Sequence, residues 1–207
     1  MSHTACTVSS MPGPEGHRSN DRLVDIATGV LSANPASTMH EIALAAGVSR
    51  ATLHRRFPSR EALMIAIAEI AIFEMRRVTD NVAARGLTGR AALDALIDLA
   101  IPLAPRFGFI ATEASVENDF CLAVTIDSFL SIWESWCVEG QRRGELRVDV
   151  PAKWMISALH GLIVACYEGV RRGEIAERDS VRLVHRTFFS GLAEADSTPL
   201  AATSRSI

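Results

Sequence analysis

Apolar residues recur along this chain at three- and four-residue spacing, and the period-two alternation of a half-buried strand is nearly absent. The pattern predicts an all-α fold. Asn20-Asp21 offers a cap to a first helix whose apolar face is Leu23, Ile26, Ala27, Val30 and Leu31. Asn34-Pro35 ends that helix, because proline disfavours helical geometry in the residue before it. A second helix opens at Thr38, with Glu41 at capping-box spacing and Ile42, Ala45 and Ala46 on its packed side. Gly47 is a natural left-handed terminus. Ser49 caps a third helix from Arg50 to Phe57, stopped by Pro58, and Ser59 caps a fourth carrying Leu63, Ala66, Ile67, Ile70 and Phe73.

A boundary follows near Gly86 to Gly89. Beyond it the pattern predicts a helix over Ala91 to Ala104, broken around Pro102 and Pro105, and a short segment near Phe107 to Ser115. A long helix is expected from Glu117 to Arg143. Another runs to Arg172 from Pro151, which suits a first helical position. A last one runs from Asp179 or Ser180 to Ala195. The total is about nine helices. The expected division is a loose tail over 1–18, a three-helix unit over 19–66, a larger helical domain over 67–196 and a frayed tail over 197–207.

Composition narrows the class. The chain has 207 residues, 48% hydrophobic and 22% charged, which are ordinary globular values. The richest apolar stretch, Ala62 to Phe73, is interrupted by Glu69 and is too short to cross a bilayer. The first 17 residues hold no apolar core of a signal peptide. Cys6, Cys121, Cys137 and Cys166 form no C-x-x-C pair and read as reduced thiols of a cytoplasmic protein. Net charge is −3, but it is unevenly spread. Residues 18–60 set Arg18, Arg22, Arg50, Arg55, Arg56 and Arg60 against only Asp21, Asp25 and Glu41. The remainder is acidic. Such asymmetry points to a polyanion held by one small module.

The chemistry of that module lies between Thr38 and Leu63. Two short helices flank the tight turn Gly47-Val48-Ser49. Leu53 and Phe57 are four apart and anchor the second helix to the core. Its other faces present Ser49, Arg50, Thr52, His54, Arg55 and Arg56. This is a helix–turn–helix, whose second helix enters the DNA major groove. Ala51 lets the backbone come close, and arginine is the side chain best shaped for two bonds to guanine.

Four segments carry a family resemblance: Thr38-Met39-His40-Glu41-Ile42-Ala43, Ala46-Gly47-Val48-Ser49, Ala51-Thr52-Leu53-His54 and Phe57-Pro58-Ser59-Arg60-Glu61-Ala62-Leu63. They resemble the DNA-binding domain of the TetR family of transcriptional regulators, over about Asp21 to Ile67. The family pattern usually has tyrosine where His54 stands and lysine where Arg60 stands. The resemblance implies that Arg50, Ala51, Thr52 and His54 face bases, and that Thr38, Ser49, Arg55, Arg56 and Arg60 face phosphates.

It also implies that the rest of the chain dimerises and holds a small molecule. The partners expected are a double-stranded, near-palindromic DNA operator, a second copy of the chain and a small-molecule effector, with no cofactor, metal or membrane. Ala158, Gly161 and Ala165, with the apolar stripe Val181, Val184, Phe188 and Leu192, are the candidate dimer surface. Phe107, Phe109, Phe120, Asp127, Phe129, Trp133 and Met155 are the candidate ligand pocket, mostly apolar with one placed acid. Two rival readings are an enzyme and a helical scaffold with a vestigial DNA module. No Gly-x-Ser-x-Gly elbow, phosphate-binding glycine loop or His-Glu-x-x-His motif supports catalysis. The arginines at 50, 55, 56 and 60 speak against a vestigial module.

Overall fold

Side-chain caps set where most of the N-terminal helices begin, and the sequence locates them closely. The computed structural model describes residues 14–113 and 119–192, with only the backbone of 14–21, 111, 112 and 192. Most of the two expected tails therefore lies outside the described residues. Helix α1 (Pro14–Ala33) starts earlier than Asn20-Asp21. Proline at a first helical position gives up no hydrogen bond, so Pro14 can open the helix within the expected loose tail. Leu23, Val24, Ala27 and Leu31 of α1 are buried. Helices α2 (Met39–Ala45) and α3 (Arg50–Arg56) follow, capped by Thr38 and Ser49.

Helix α4 (Arg60–Ala84) has 25 residues and is about 37 Å long. It runs unbroken through the expected boundary at 66/67, where Ile67 and Ala68 are both buried. The N-terminal unit and the helical domain thus share one rigid element. Helix α5 (Gly89–Ala100) ends before Pro102 in a 3₁₀ turn, followed by the short α6 (Ala104–Phe107) and a second 3₁₀ turn over Gly108–Thr112. Asp119 caps α7 (Phe120–Arg142), its Oδ1 accepting from the Leu122 N–H at 3.0 Å. Pro151 stands just outside α8 (Ala152–Arg171), and α9 (Ser180–Leu192) completes the chain.

All regular structure among the described residues is helical. In the larger domain α5 packs on α7, α4 on both, α8 on α7 and α6, and α9 on α8 and α5. Helix α7, and not the Ala62–Phe73 stretch, is long and apolar enough to cross a membrane. Here Leu122, Phe129, Trp133, Trp136 and Cys137 on it are buried within the chain. The Trp133 indole N–H donates to Thr79 Oγ1 at 2.9 Å, so the one polar atom of that side chain is satisfied in the core. Cys137 and Cys166 are free and buried. Cys121 is disulfide-bonded, which departs from the expectation of four reduced thiols.

Candidate nucleic-acid interface

The recognition surface is built from two capped turns. At α2 the Glu41 N–H donates to Thr38 Oγ1 at 3.3 Å, and the Thr38 N–H donates to Glu41 Oε2 at 2.7 Å. This reciprocal box satisfies two amides that a helix start leaves open. Those bonds, the Thr38 backbone N–H first and its hydroxyl second, hold the Glu41 carboxyl below the usual carboxylate range. Gly47, at φ 65°, takes the left-handed conformation that ends α2 and turns the chain towards α3. The Val48 N–H donates back to the Ala43 carbonyl at 3.0 Å, closing the turn.

Ser49 then caps α3, its Oγ accepting from the Thr52 N–H at 3.1 Å. Leu53 and Phe57 are buried, as the spacing predicts. With that face fixed inward, Arg50, Ala51, His54, Arg55 and Arg56 are exposed. No acid interrupts this surface. His54, Arg55 and Arg56 fall in the last turn, where positive charge also suits the helix dipole. Thr52 is half-buried, and its hydroxyl lies 2.9 Å from Ser49 Oγ. The chemistry available is direct hydrogen bonding from guanidinium and imidazole, flanked by phosphate-pairing arginine.

Residues 30–67 match the family model described as "Bacterial regulatory proteins, tetR family". The chain is 28% identical to the HTH-type transcriptional repressor LfrR of Mycolicibacterium smegmatis, over 81% of this chain and 87% of that protein. It is 23% identical to the HTH-type transcriptional regulator NfxB of Pseudomonas aeruginosa, over 83% of this chain and 93% of the relative. The crystal structure of the TetR-like regulator LfrR from Mycobacterium smegmatis in complex with proflavine superposes with a TM-score of 0.65 at 26% identity, covering 86% of this chain and 99% of that one. CprB, a TetR family protein from S. coelicolor A3(2), shares the fold with a TM-score of 0.67 at 19% identity, covering 88% and 92% of the two chains.

Residues 30–67 carry the DNA-binding module of the TetR family of transcriptional regulators, and the chain is similar to TetR-family regulators over most of its length. It is a DNA-binding regulator and not an enzyme.

The structure sorts the other expected site residues of this chain. Thr38 and Ser49 are exposed helix caps. Arg60 departs from the expectation of a phosphate-facing side chain: it is half-buried, and its guanidinium donates to the Ser37 and Pro35 carbonyls. The candidate pocket residues do not form one room. Phe107, Phe109, Phe129, Trp133 and Met155 are core residues. The Phe129 and Trp133 rings pack at 5.2 Å, and Phe109 packs at 6.3 Å from the Tyr167 ring. Phe120 is 77% exposed and Asp127 is exposed, so neither is a wall of an enclosed pocket. They lie on the solvent side of α7, whose opposite side fills the core.

A cleft of about 590 Å³ lies elsewhere, lined by Ile101, Pro102, Ala176, Glu177, Arg178, Ser180 and Val181. None of the seven expected pocket residues lines it. On α8, Gly161 and Ala165 are exposed and Ala158 is half-buried, leaving a face of small residues open. On α9, Val181 is half-buried, whereas Val184 and Phe188 are each 1% exposed. They belong to the chain's own core against α8 and α5, and the expectation that they face a second copy is corrected. The Leu192 side chain lies outside the described residues.

Proposed function

We propose that this TetR-family regulator binds a near-palindromic operator as a homodimer and is released from it by a small molecule held in the helical domain. The observation that carries the DNA half is the exposed, acid-free surface of α3, a helix capped by Ser49 and anchored by Leu53 and Phe57. Arg50, Ala51, Thr52 and His54 read bases, and Arg55 and Arg56 with the caps at Thr38 and Ser49 meet phosphates. The open small-residue face of α8 supports pairing with a second copy. The likeness to LfrR, which was crystallised with proflavine, supports a small-molecule effector. The protein acts in the cytoplasm, where its DNA is.

The lever is the contact between α1 and α6. Arg106 pairs with Asp25 of α1. The Tyr167 hydroxyl of α8 donates to the Ser32 carbonyl of α1 at 3.3 Å. A ligand releases DNA only by preferring a conformation with badly spaced recognition helices. DNA and ligand must therefore weaken each other by the same factor.

The deciding experiment selects bound duplexes from a random pool with the purified protein. Enrichment of a near-palindrome, with half-sites one DNA turn of ~34–36 Å or a multiple apart, is expected. Binding that is weak, unselective and lost in modest salt would overturn this reading and favour a helical scaffold with a vestigial DNA module.

A further inference from the structure

Arg60 stands in the first turn of α4, where the family resemblance expects a cation for a phosphate. Its guanidinium is engaged within the chain instead. One Nη donates to the Ser37 carbonyl at 2.6 Å and the other to the Pro35 carbonyl at 2.5 Å. Both carbonyls belong to the loop between α1 and α2. Among the described residues, no backbone N–H is bonded to either of them. The loop's other ties are local to Asn34, which accepts from the Ala36 N–H at 3.1 Å and, through its carbonyl, from the Ser37 N–H at 3.0 Å. Ser37 is buried, and the next residue, Thr38, is the cap that starts α2.

We propose that Arg60 is a positioning residue for DNA recognition: its two-pronged bond fixes the start of α2 against the start of α4, and the side chain does not serve as a phosphate ligand. The inference rests on the reading of α3 as the recognition helix. The physical reason is the shape of the donor. A guanidinium presents parallel N–H groups in one rigid plane and meets two acceptors at once, whereas an ammonium is a compact point charge on a flexible stem. Two carbonyls two residues apart on one loop match the rigid fork of the first, whereas the second would have to reach both from one nitrogen on a flexible stem. Helix α2 carries the turn that aims α3, so a shift at Thr38 moves every base-facing side chain together.

The two roles separate experimentally. A phosphate ligand needs only a positive charge, so Arg60→Lys would bind within about twofold of wild type, and Arg60→Ala would reduce the slope of log affinity against log salt by about one. A positioning residue behaves differently. Arg60→Lys and Arg60→Ala should both weaken binding to the selected duplex by roughly tenfold, with the wild-type salt slope. Arg55→Ala, measured beside them, should flatten the slope by about one. Hydrogen exchange at the amides of Ala36, Ser37 and Thr38 in the DNA-free protein should quicken in Arg60→Lys. That last measurement needs no operator, so it decides the proposal even if the DNA reading fails. It also spares the argument if Arg60→Ala does not fold. Unchanged exchange in Arg60→Lys, or lysine restoring both affinity and slope, overturns it.

Discussion

Single side chains hold the recognition surface in place, and the cap at α2 has a pH signature. The Glu41 carboxyl titrates lower in the folded chain than its ordinary value because its charged form accepts from Thr38. Its contribution is therefore fully present above the ordinary carboxylate range and is lost as pH falls through the lowered value. Thermal melts of wild type and Glu41→Gln should differ at pH 6, and the gap should close as pH falls below the ordinary carboxylate range. A gap that stays constant to pH 3 would refute the assignment. Leu53 is 1% exposed and fixes one face of α3, which packs beside α2, in the core. Leu53→Ala should cost about 2–5 kcal/mol of unfolding free energy by denaturant titration. The caps and Leu53 were legible in the sequence because capping and packing are local, set by residues three or four apart. The role of Arg60 was not, because its partners lie 23 and 25 residues away and are backbone atoms that any residue possesses. The one available signal was arginine standing where the family usually has lysine.

Elements are legible for a related reason, and their partners are not. Periodicity says that one face of a helix is buried without saying by what. The stripe Val184 and Phe188 was read correctly as buried and wrongly as intermolecular, because an apolar face looks the same against its own chain as against another. Phe120 fails in the opposite direction, as an aromatic residue near a helix start that remains outside. The contact of α8 with the Gly108–Thr112 turn has a clearer cause. A Cβ on Gly108 would stand 2.3 Å from Tyr167 Cβ and 2.6 Å from its Cγ, far inside any real contact. The constraint is close approach, since the backbone of Gly108 is ordinary helical geometry at φ −59°. Gly108→Ala should force α8 and this turn apart and destabilise the protein by about 1–3 kcal/mol. A melting temperature within a degree of wild type would mean the turn shifts freely.

At the scale of the whole molecule, the N-terminal unit is tied to the helical domain along α4 and at the α1–α6–α8 junction, and in the proposed dimer two-fold symmetry would set the spacing of two copies of α3. Arg106 and Tyr167 hold α1 from α6 and α8, so Tyr167→Phe, which deletes only the hydroxyl, tests the tie without disturbing the ring against Gly108. Operator affinity should change while the melting temperature stays nearly constant; equal loss of both would make the tie purely structural. The proposed dimer would pair through the open face of α8. In a two-fold interface the same patch meets itself, so one substitution acts twice. Ala165 is exposed, and Ala165→Glu would set like charges against each other across the axis without touching the chain's core. Light scattering should report a monomer, and affinity for the full palindrome should fall towards that for a half-site. Val184→Ala makes the contrasting case, because its side chain packs against the chain's own α8 and α5. It should lower stability and leave the dimer intact. If instead Ala165→Glu remains dimeric and Val184→Ala dissociates, the pairing surface lies on α9 after all, and the burial of that stripe within one chain would have to give way when two copies meet.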